Sequence, residues 1–218
     1  MPVSTSQECD LTFYTNPQSR GQIARWMLEE VGAEYRQEVL EYYTSMKSEE
    51  YLKINPMGKV PAIVHRGKVV TECAAICAYL ADVFPQAGLA PPIDDRSDYY
   101  RWLFFSAGPL EAAIVDRSLK VNIKPDQEAM VGYGNYDRVL DVLSAQLLKS
   151  AYVAGERFTA ADVYVGSHVL WGLQFGSMDM RPGFEDYAAK LAERPAFKAA
   201  KLIDEQLIAD SEREKSKE

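Results

Sequence analysis

The chain is poor in the residues that build disulfide frameworks and metal centres. Its 218 residues include three cysteines and two histidines. Cys9, Cys73 and Cys77 are odd in number and lack framework spacing, so structural disulfides are not expected and a reducing compartment is. There is no Cys-x-x-Cys pair, which disfavours dithiol redox chemistry. His65 and His168 stand alone, without ligand partners at useful spacing, so no metal site is expected. No apolar run approaches the roughly 20 residues needed to cross a bilayer. Met1 to Asp10 has neither a basic start nor an apolar stretch and does not read as a secretory signal. Basic clusters are also missing, and the net charge is -8. That balance argues against nucleic acid or an anionic membrane as the main partner, yet leaves room for a small anionic ligand in one local positive pocket. The expectation is a cytoplasmic protein.

What is present is enough apolar material for a sizeable core, 47% of the residues, with an ordinary 26% of charged ones. Leu11 to Tyr14 reads as a strand and Thr15 to Ser19 as a turn. Gln22 to Val31 reads as a helix, with Gly32 where a left-handed cap belongs. Glu34 to Leu40 can form a second strand, and Ser45 to Ile54 a short helix or ordered loop. Val60 to Val64 is a third strand. His65 to Lys68 makes a hairpin turn, Val69 and Val70 begin a fourth strand, and Thr71 to Asp82 is a helix. A parallel βαβ followed by an antiparallel hairpin and a helix is the thioredoxin-like arrangement.

Phe84 to Asp95 carries Pro85, Gly88, Pro91 and Pro92 and reads as a linker. Beyond it the pattern is helical: Arg96 to Asp116, bent at Gly108-Pro109, then Gln127 to Lys149, Ala160 to Trp171, Glu185 to Glu193 and Pro195 to Leu207. Asp210 to Glu218 is charged and is expected to fray. The fold class is therefore α/β plus all-α, with a thioredoxin-like domain at 1–83, a linker at 84–95 and a helical bundle domain at 96–218. Thr159-x-x-Asp162 has capping-box spacing, and Phe158 before it can staple onto Val163. Asp162 is thus read as a folding residue. Tyr99, Tyr100, Trp102, Phe104 and Phe105 form an aromatic stripe, which is more often core than pocket.

Three segments carry chemistry. In Asn55-Pro56-Met57-Gly58-Lys59-Val60-Pro61, a proline opens a strand and cannot donate its ladder hydrogen bond. With a cis Val60-Pro61 bond, the Val60 backbone could point outward and pair with a peptide-like ligand as an added strand. An ordinary loop before an edge strand is the plainer reading. In Thr71-Glu72-Cys73, a helix start offers free N–H groups to a carboxylate, while Glu72 could pair with an ammonium. Helix capping is the plainer reading there. In Tyr14 to Gly21, a hydroxyl at the strand-to-helix turn could hold a ligand thiol as its thiolate.

These segments together resemble the glutathione-binding half of cytosolic-type glutathione S-transferases, of the bacterial serine or tyrosine type. The resemblance covers Leu11 to Asp82 closely and the helical half more loosely. It implies that glutathione is the co-substrate. Val60 would pair with its cysteinyl part, with Pro61 cis. Lys59 would approach the glycyl carboxylate, and Glu72 and Cys73 would hold the γ-glutamyl group. Ser19 is the first candidate for thiol activation and Tyr14 the second. Arg20 is either a solvated charge or a brace for ligand carboxylates. Cys73 departs from the Ser or Thr usual in the family; a thiol is a weak donor. It is read as a small residue filling the helix start, with a redox-sensitive thiol as the alternative. Cys77 is expected in the core. Phe105 and Trp171 are candidates for the wall of the site for a hydrophobic electrophile. A homodimer is implied as well. The rival functions are a non-catalytic interaction module of the same fold, or a glutathione-dependent peroxidase or disulfide reductase.

Overall fold

The computed structural model describes residues 9–216. Its first half is a four-stranded sheet in the order β2-β1-β3-β4. Strand β1 (Leu11–Thr15) runs parallel to β2 (Arg36–Val39), with Phe13 opposite Gln37, and antiparallel to β3 (Ala62–His65), with Phe13 opposite Ile63. Strand β4 (Lys68–Thr71) completes a hairpin with β3. The two residues between them, Arg66 and Gly67, both have positive φ (52° and 73°), the backbone that a two-residue hairpin loop demands. Leu11, Phe13 and Thr15 are buried and alternate with half-buried Thr12 and Tyr14, the period-two pattern of a strand with two unlike faces.

Helix α1 (Gly21–Val31) makes the crossover from β1 to β2 and stops at Gly32, which is left-handed at φ 64°. The 45–54 stretch resolves into a 3₁₀ turn (Ser45–Lys47) and helix α2 (Glu49–Ile54), whose N-terminus is capped by Ser48. Helix α3 (Cys73–Val83) begins two residues later than the pattern suggested. Thr71 is still paired to Ala62 in the sheet, and Glu72 turns the chain. The fold class is the thioredoxin-like sheet followed by helices.

After the proline-rich stretch come α4 (Ser97–Phe105) and α5 (Glu111–Ser118), joined through a π-helical turn at Ser106–Leu110. Pro109 lies in that turn; a proline removes one N–H donor and leaves the ladder to widen around it. Helix α6 spans Tyr136–Lys149, so of the residues expected to be helical Gln127 closes a 3₁₀ turn (Pro125–Gln127) and 128–135 are not helical. Gly132 and Gly134, the latter at φ 70°, weaken that segment, and the Asn135 side chain then caps α6 by accepting from Arg138 N–H. Helix α7 (Ala160–Phe175) starts with the expected capping box. It is followed by α8 (Phe184–Ala192) and α9 (Pro195–Lys215). The expected fraying from Asp210 is not seen as far as Lys215, where α9 ends after a stretch rich in good helix formers; residues 217 and 218 lie outside the described residues.

One hydrophobic core runs through both halves, from Leu11 and Phe13 to Leu191 and Ala200. Helix α1 is its hinge piece, packed on α3, α7 and α9. Trp26 of α1 meets Phe197 of α9 edge-on, ring centroids 4.9 Å apart. Two ion pairs reinforce that junction. The fully buried Arg25 donates through Nε to Asp204 Oδ1 at 2.8 Å. Arg194 grips both carboxylate oxygens of Glu30 at 2.6 and 2.7 Å.

Candidate functional site

The turn between β1 and α1 is a closed hydrogen-bond unit. The Asn16 side chain accepts from Gln18 N–H at 2.9 Å and donates to the Leu40 carbonyl at 2.8 Å. The Asn16 carbonyl accepts from both the backbone N–H of Ser19, at 3.1 Å, and its hydroxyl, at 2.6 Å. Ser19 Oγ in turn accepts from Gly21 N–H at 2.9 Å. Glycine is required at 21, since a β-carbon there would collide with Thr15 Oγ1. These contacts hold a half-buried hydroxyl at the first turn of α1, on the positive end of the helix dipole.

The 55–61 loop is fixed with similar economy. Lys59 O accepts from Tyr51 OH and from Asn55 Nδ2, at 2.5 and 2.8 Å. Gly58 has φ 57° and sits under Lys47, whose ammonium donates to its carbonyl at 2.8 Å. The Val60-Pro61 peptide is cis. Val60 itself takes no backbone partner among the described residues.

These two units face each other across a cleft of about 270 Å³, lined by Ser19, Arg20, Lys47, Lys59 and Val60 with Tyr42, Tyr43 and Met46. Three cations therefore converge in a chain of net charge -8, which suits an anionic ligand. Ser19, Lys59 and Val60, named from the sequence, meet here. Tyr14 does not line the cleft; its ring packs against Tyr51 at 5.4 Å. Lys47, Tyr42, Tyr43 and Met46 were not among the sequence candidates, and no motif marks them.

Glu72 and Cys73 lie at the start of α3, next to this cleft rather than in its lining. Glu72 is exposed and has φ 65°, ψ 121°. No side chain caps α3. The Cys73 thiol is buried and points at the Arg20 carbonyl, 3.7 Å away. Burial pushes the thiol up to about 12, with the nearby Arg20 charge opposing the shift only in part. Desolvation thus outweighs the helix N-terminus at this thiol, which disfavours the redox-sensitive alternative for Cys73. Cys77 is likewise buried, its thiol raised well above the usual range by desolvation.

Arg20 also reaches into the helical half. Its Nη2 lies 2.8 Å from Glu111 Oε1 on α5, and the other oxygen of Glu111 accepts from Tyr164 OH of α7 at 3.2 Å. Nothing in the sequence pairs residues 20, 111 and 164. A second cavity, of about 370 Å³, opens between α1, α7 and α9, with Trp26, Trp171 and Phe197 among its walls and Gln22 at one side. Trp171 thus faces a cavity, whereas Phe105 is outside that lining and packs edge-on against Trp102 at 5.1 Å.

The glutathione S-transferase N-terminal domain family model matches residues 9–82. Glutathione S-transferase A of Pleuronectes platessa is 31% identical over 164 residues, covering 71% of this chain and 73% of that protein. The crystal structure of a glutathione transferase from Methylococcus capsulatus superposes with a TM-score of 0.74 at 27% identity, over 90% of this chain and 99% of that one. A sphingomonad glutathione S-transferase complexed with glutathione gives a TM-score of 0.72 at 29% identity, over 88% and 98%.

Proposed function

The chain belongs to the glutathione S-transferase family, and on that premise we propose that it activates glutathione as a thiolate for attack on a hydrophobic electrophile, with Ser19 as the activating donor. The observation that carries this reading is the cleft where the Ser19 hydroxyl, the cations of Arg20, Lys47 and Lys59, and the unpaired Val60 backbone face one space. Glutathione brings two carboxylates and a peptide backbone, which match those cations and that strand edge. Lys59 takes the glycyl carboxylate, Val60 and Pro61 the cysteinyl backbone, and Glu72 with the open N-terminus of α3 at Cys73 the γ-glutamyl head.

In the free protein the Ser19 proton is given to the Asn16 carbonyl. On ligand binding it turns to the sulfur, while the backbone N–H of Ser19 still serves that carbonyl. The thiol proton leaves to water, and the sulfur lone pair forms the new bond as the electrophile's leaving group or π-bond accepts the electrons. Tyr14 remains the alternative donor, but its ring lies against Tyr51, away from the cleft lining. The aromatic cavity bounded by Trp171 is the space we assign to the electrophile. We further propose a homodimer, checked by molar mass at micromolar concentration. A cytoplasmic location fits the three free cysteines.

Titration of glutathione by calorimetry, with the thiolate ultraviolet band recorded, tests the reading. Ser19→Ala should bind glutathione yet lose the band at neutral pH, with kcat/KM falling about 100-fold, as for loss of one donor to a developing anion. Tyr14→Phe should keep both. The reverse pattern would transfer the role to Tyr14, and no glutathione binding by the wild type at millimolar ligand would end the proposal.

A further inference from the structure

We propose that the cavity between α1, α7 and α9 takes aromatic compounds that carry a hydroxyl group, and that Asp204 Oδ2 is the acceptor that selects them. The inference rests on the assignment of this cavity to the electrophile and deepens it, by naming the class of compound that fits.

Three aromatic side chains, Trp26, Trp171 and Phe197, wall the cavity. Its volume of about 370 Å³ lies within the range of small-molecule sites. Such walls favour any flat apolar ring and carry little information about its substituents. Discrimination has to come from polar atoms, and most of those are engaged elsewhere. Ser167 Oγ donates to the Val163 carbonyl at 2.7 Å, and Gln22 Nε2 to the Pro17 carbonyl at 2.6 Å. Gln174, Lys201 and Glu205 also border the cavity, but they are exposed and open to water.

Asp204 differs from all of these. It lines the cavity with a side chain only 4% exposed, and Arg25 Nε engages its Oδ1 alone. Oδ2 is buried and has no hydrogen-bond partner among the described residues. A buried acceptor without a hydrogen bond is costly. Burial accordingly holds this carboxyl up at about 6, although Arg25 pulls it down. A ligand donor at Oδ2 supplies the missing bond. Arg25 already neutralises the carboxylate, so an ammonium would be a buried charge with no counter-ion of its own, and a neutral hydroxyl suits the place better. A hydroxylated aromatic ring meets both demands, with an apolar body against the aromatic walls and a polar tip at Oδ2. The cavity also adjoins the proposed chemistry: Gln22, at its side, donates its backbone N–H to the Ser19 carbonyl at 3.2 Å.

The test is equilibrium dialysis of naphthol, its methyl ether and naphthalene at neutral pH, without glutathione. Wild type should hold naphthol about tenfold or more tightly than the other two, the scale of one hydrogen bond to a charged group. In Asp204→Asn the Arg25 Nε–H still requires an acceptor, so the amide carbonyl takes it and the amide NH₂ replaces Oδ2. Naphthol and its methyl ether should then bind within about twofold of each other, since the oxygen of either can accept. Trp171→Ala should weaken all three ligands by about threefold or more and keep the preference for naphthol. In a conjugation assay with glutathione and an activated aryl chloride, naphthol should compete with the aryl chloride. Equal affinity of the wild type for the three ligands would overturn the proposal without any variant. So would a preference unchanged in Asp204→Asn, or naphthol binding unmoved by Trp171→Ala. The expected preference without competition would keep the hydroxyaryl site and overturn its assignment to the electrophile. The expected preference in a wild type that neither binds nor turns over glutathione would keep the site and take down the transferase reading alone.

Discussion

Glu72 sits at φ 65°, ψ 121°, where a residue with a β-carbon pays on the order of 1–3 kcal/mol in local strain. Its exposed carboxylate lies beside an uncapped helix start, where the proposed function puts the γ-glutamyl head. Glu72→Gly should raise the unfolding free energy by about 1 kcal/mol while weakening glutathione; a lower melting temperature would show that the backbone is not strained. The cysteines allow a second check. Cys9 is exposed, whereas Cys73 and Cys77 are buried with raised thiols. Iodoacetamide on the folded protein should modify Cys9 alone, as read by mass spectrometry, because the thiolate is the reacting form. Residues such as Ser19, Lys59 and Val60 stood out in the sequence because each sits in a local motif whose backbone needs are visible in adjacent letters. Lys47, Glu111 and Tyr164 could not stand out. Their closeness to the cleft arises from packing between segments far apart in the chain, which no spacing rule reports.

At the level of elements, α7 depends on one carboxylate. Asp162 is fully buried and accepts from Val153 N–H, Thr159 N–H, Thr159 Oγ1 and Tyr187 OH, at 2.8, 2.8, 3.1 and 2.9 Å. Its capping role was legible from Thr159-x-x-Asp162, but its ties to Val153 and Tyr187 were not, being tertiary. Asp162→Ala strands several buried donors and should cost about 3–5 kcal/mol in denaturant unfolding, against about 1 kcal/mol for Thr159→Ala. If the two losses matched, Asp162 would be a local cap only. Gly32 as terminator of α1 and the Gly108-Pro109 bend were also readable, because glycine and proline act through their own backbone limits. The late start of α6 and the long run of α9 were not. Residues 127–135 mix good helix formers with two glycines, and the last residues of α9 carry charges that read equally as an exposed helix or a tail.

For the whole molecule, the joint between the two halves is both buried and ionic. Asp204 is held up at about 6 by burial, with the attraction of Arg25 acting the other way. Its ordinary value is 3.8, so between about pH 4 and pH 6 the folded protein binds more protons here than the unfolded chain. This group's contribution to stability is therefore complete below about pH 4 and is lost as pH rises through 6. The stability of wild type relative to Asp204→Asn should decline over that interval and level off above pH 7; a difference that grows with pH would mean that Arg25 governs the pair instead. Arg25 also donates to Tyr35 OH at 3.0 Å and lies over the Phe13 ring at 5.2 Å, so the guanidinium is built into the sheet half as firmly as into α9.

Arg25 and Asp204 are 179 residues apart in the chain. Translation proceeds at roughly 5–20 residues per second. The sheet half, complete at Val83, therefore leaves the ribosome roughly 6–24 s before the Asp204 carboxylate that pairs with its buried cation exists. During that interval α1 has no α9 to cover Trp26, and Glu30 still awaits Arg194. In a growing chain the face of α1 that packs on α9 stays uncovered until the last helix is made. Its window for chaperone capture, or for misassociation with another unfinished copy, is set by about the final tenth of its length.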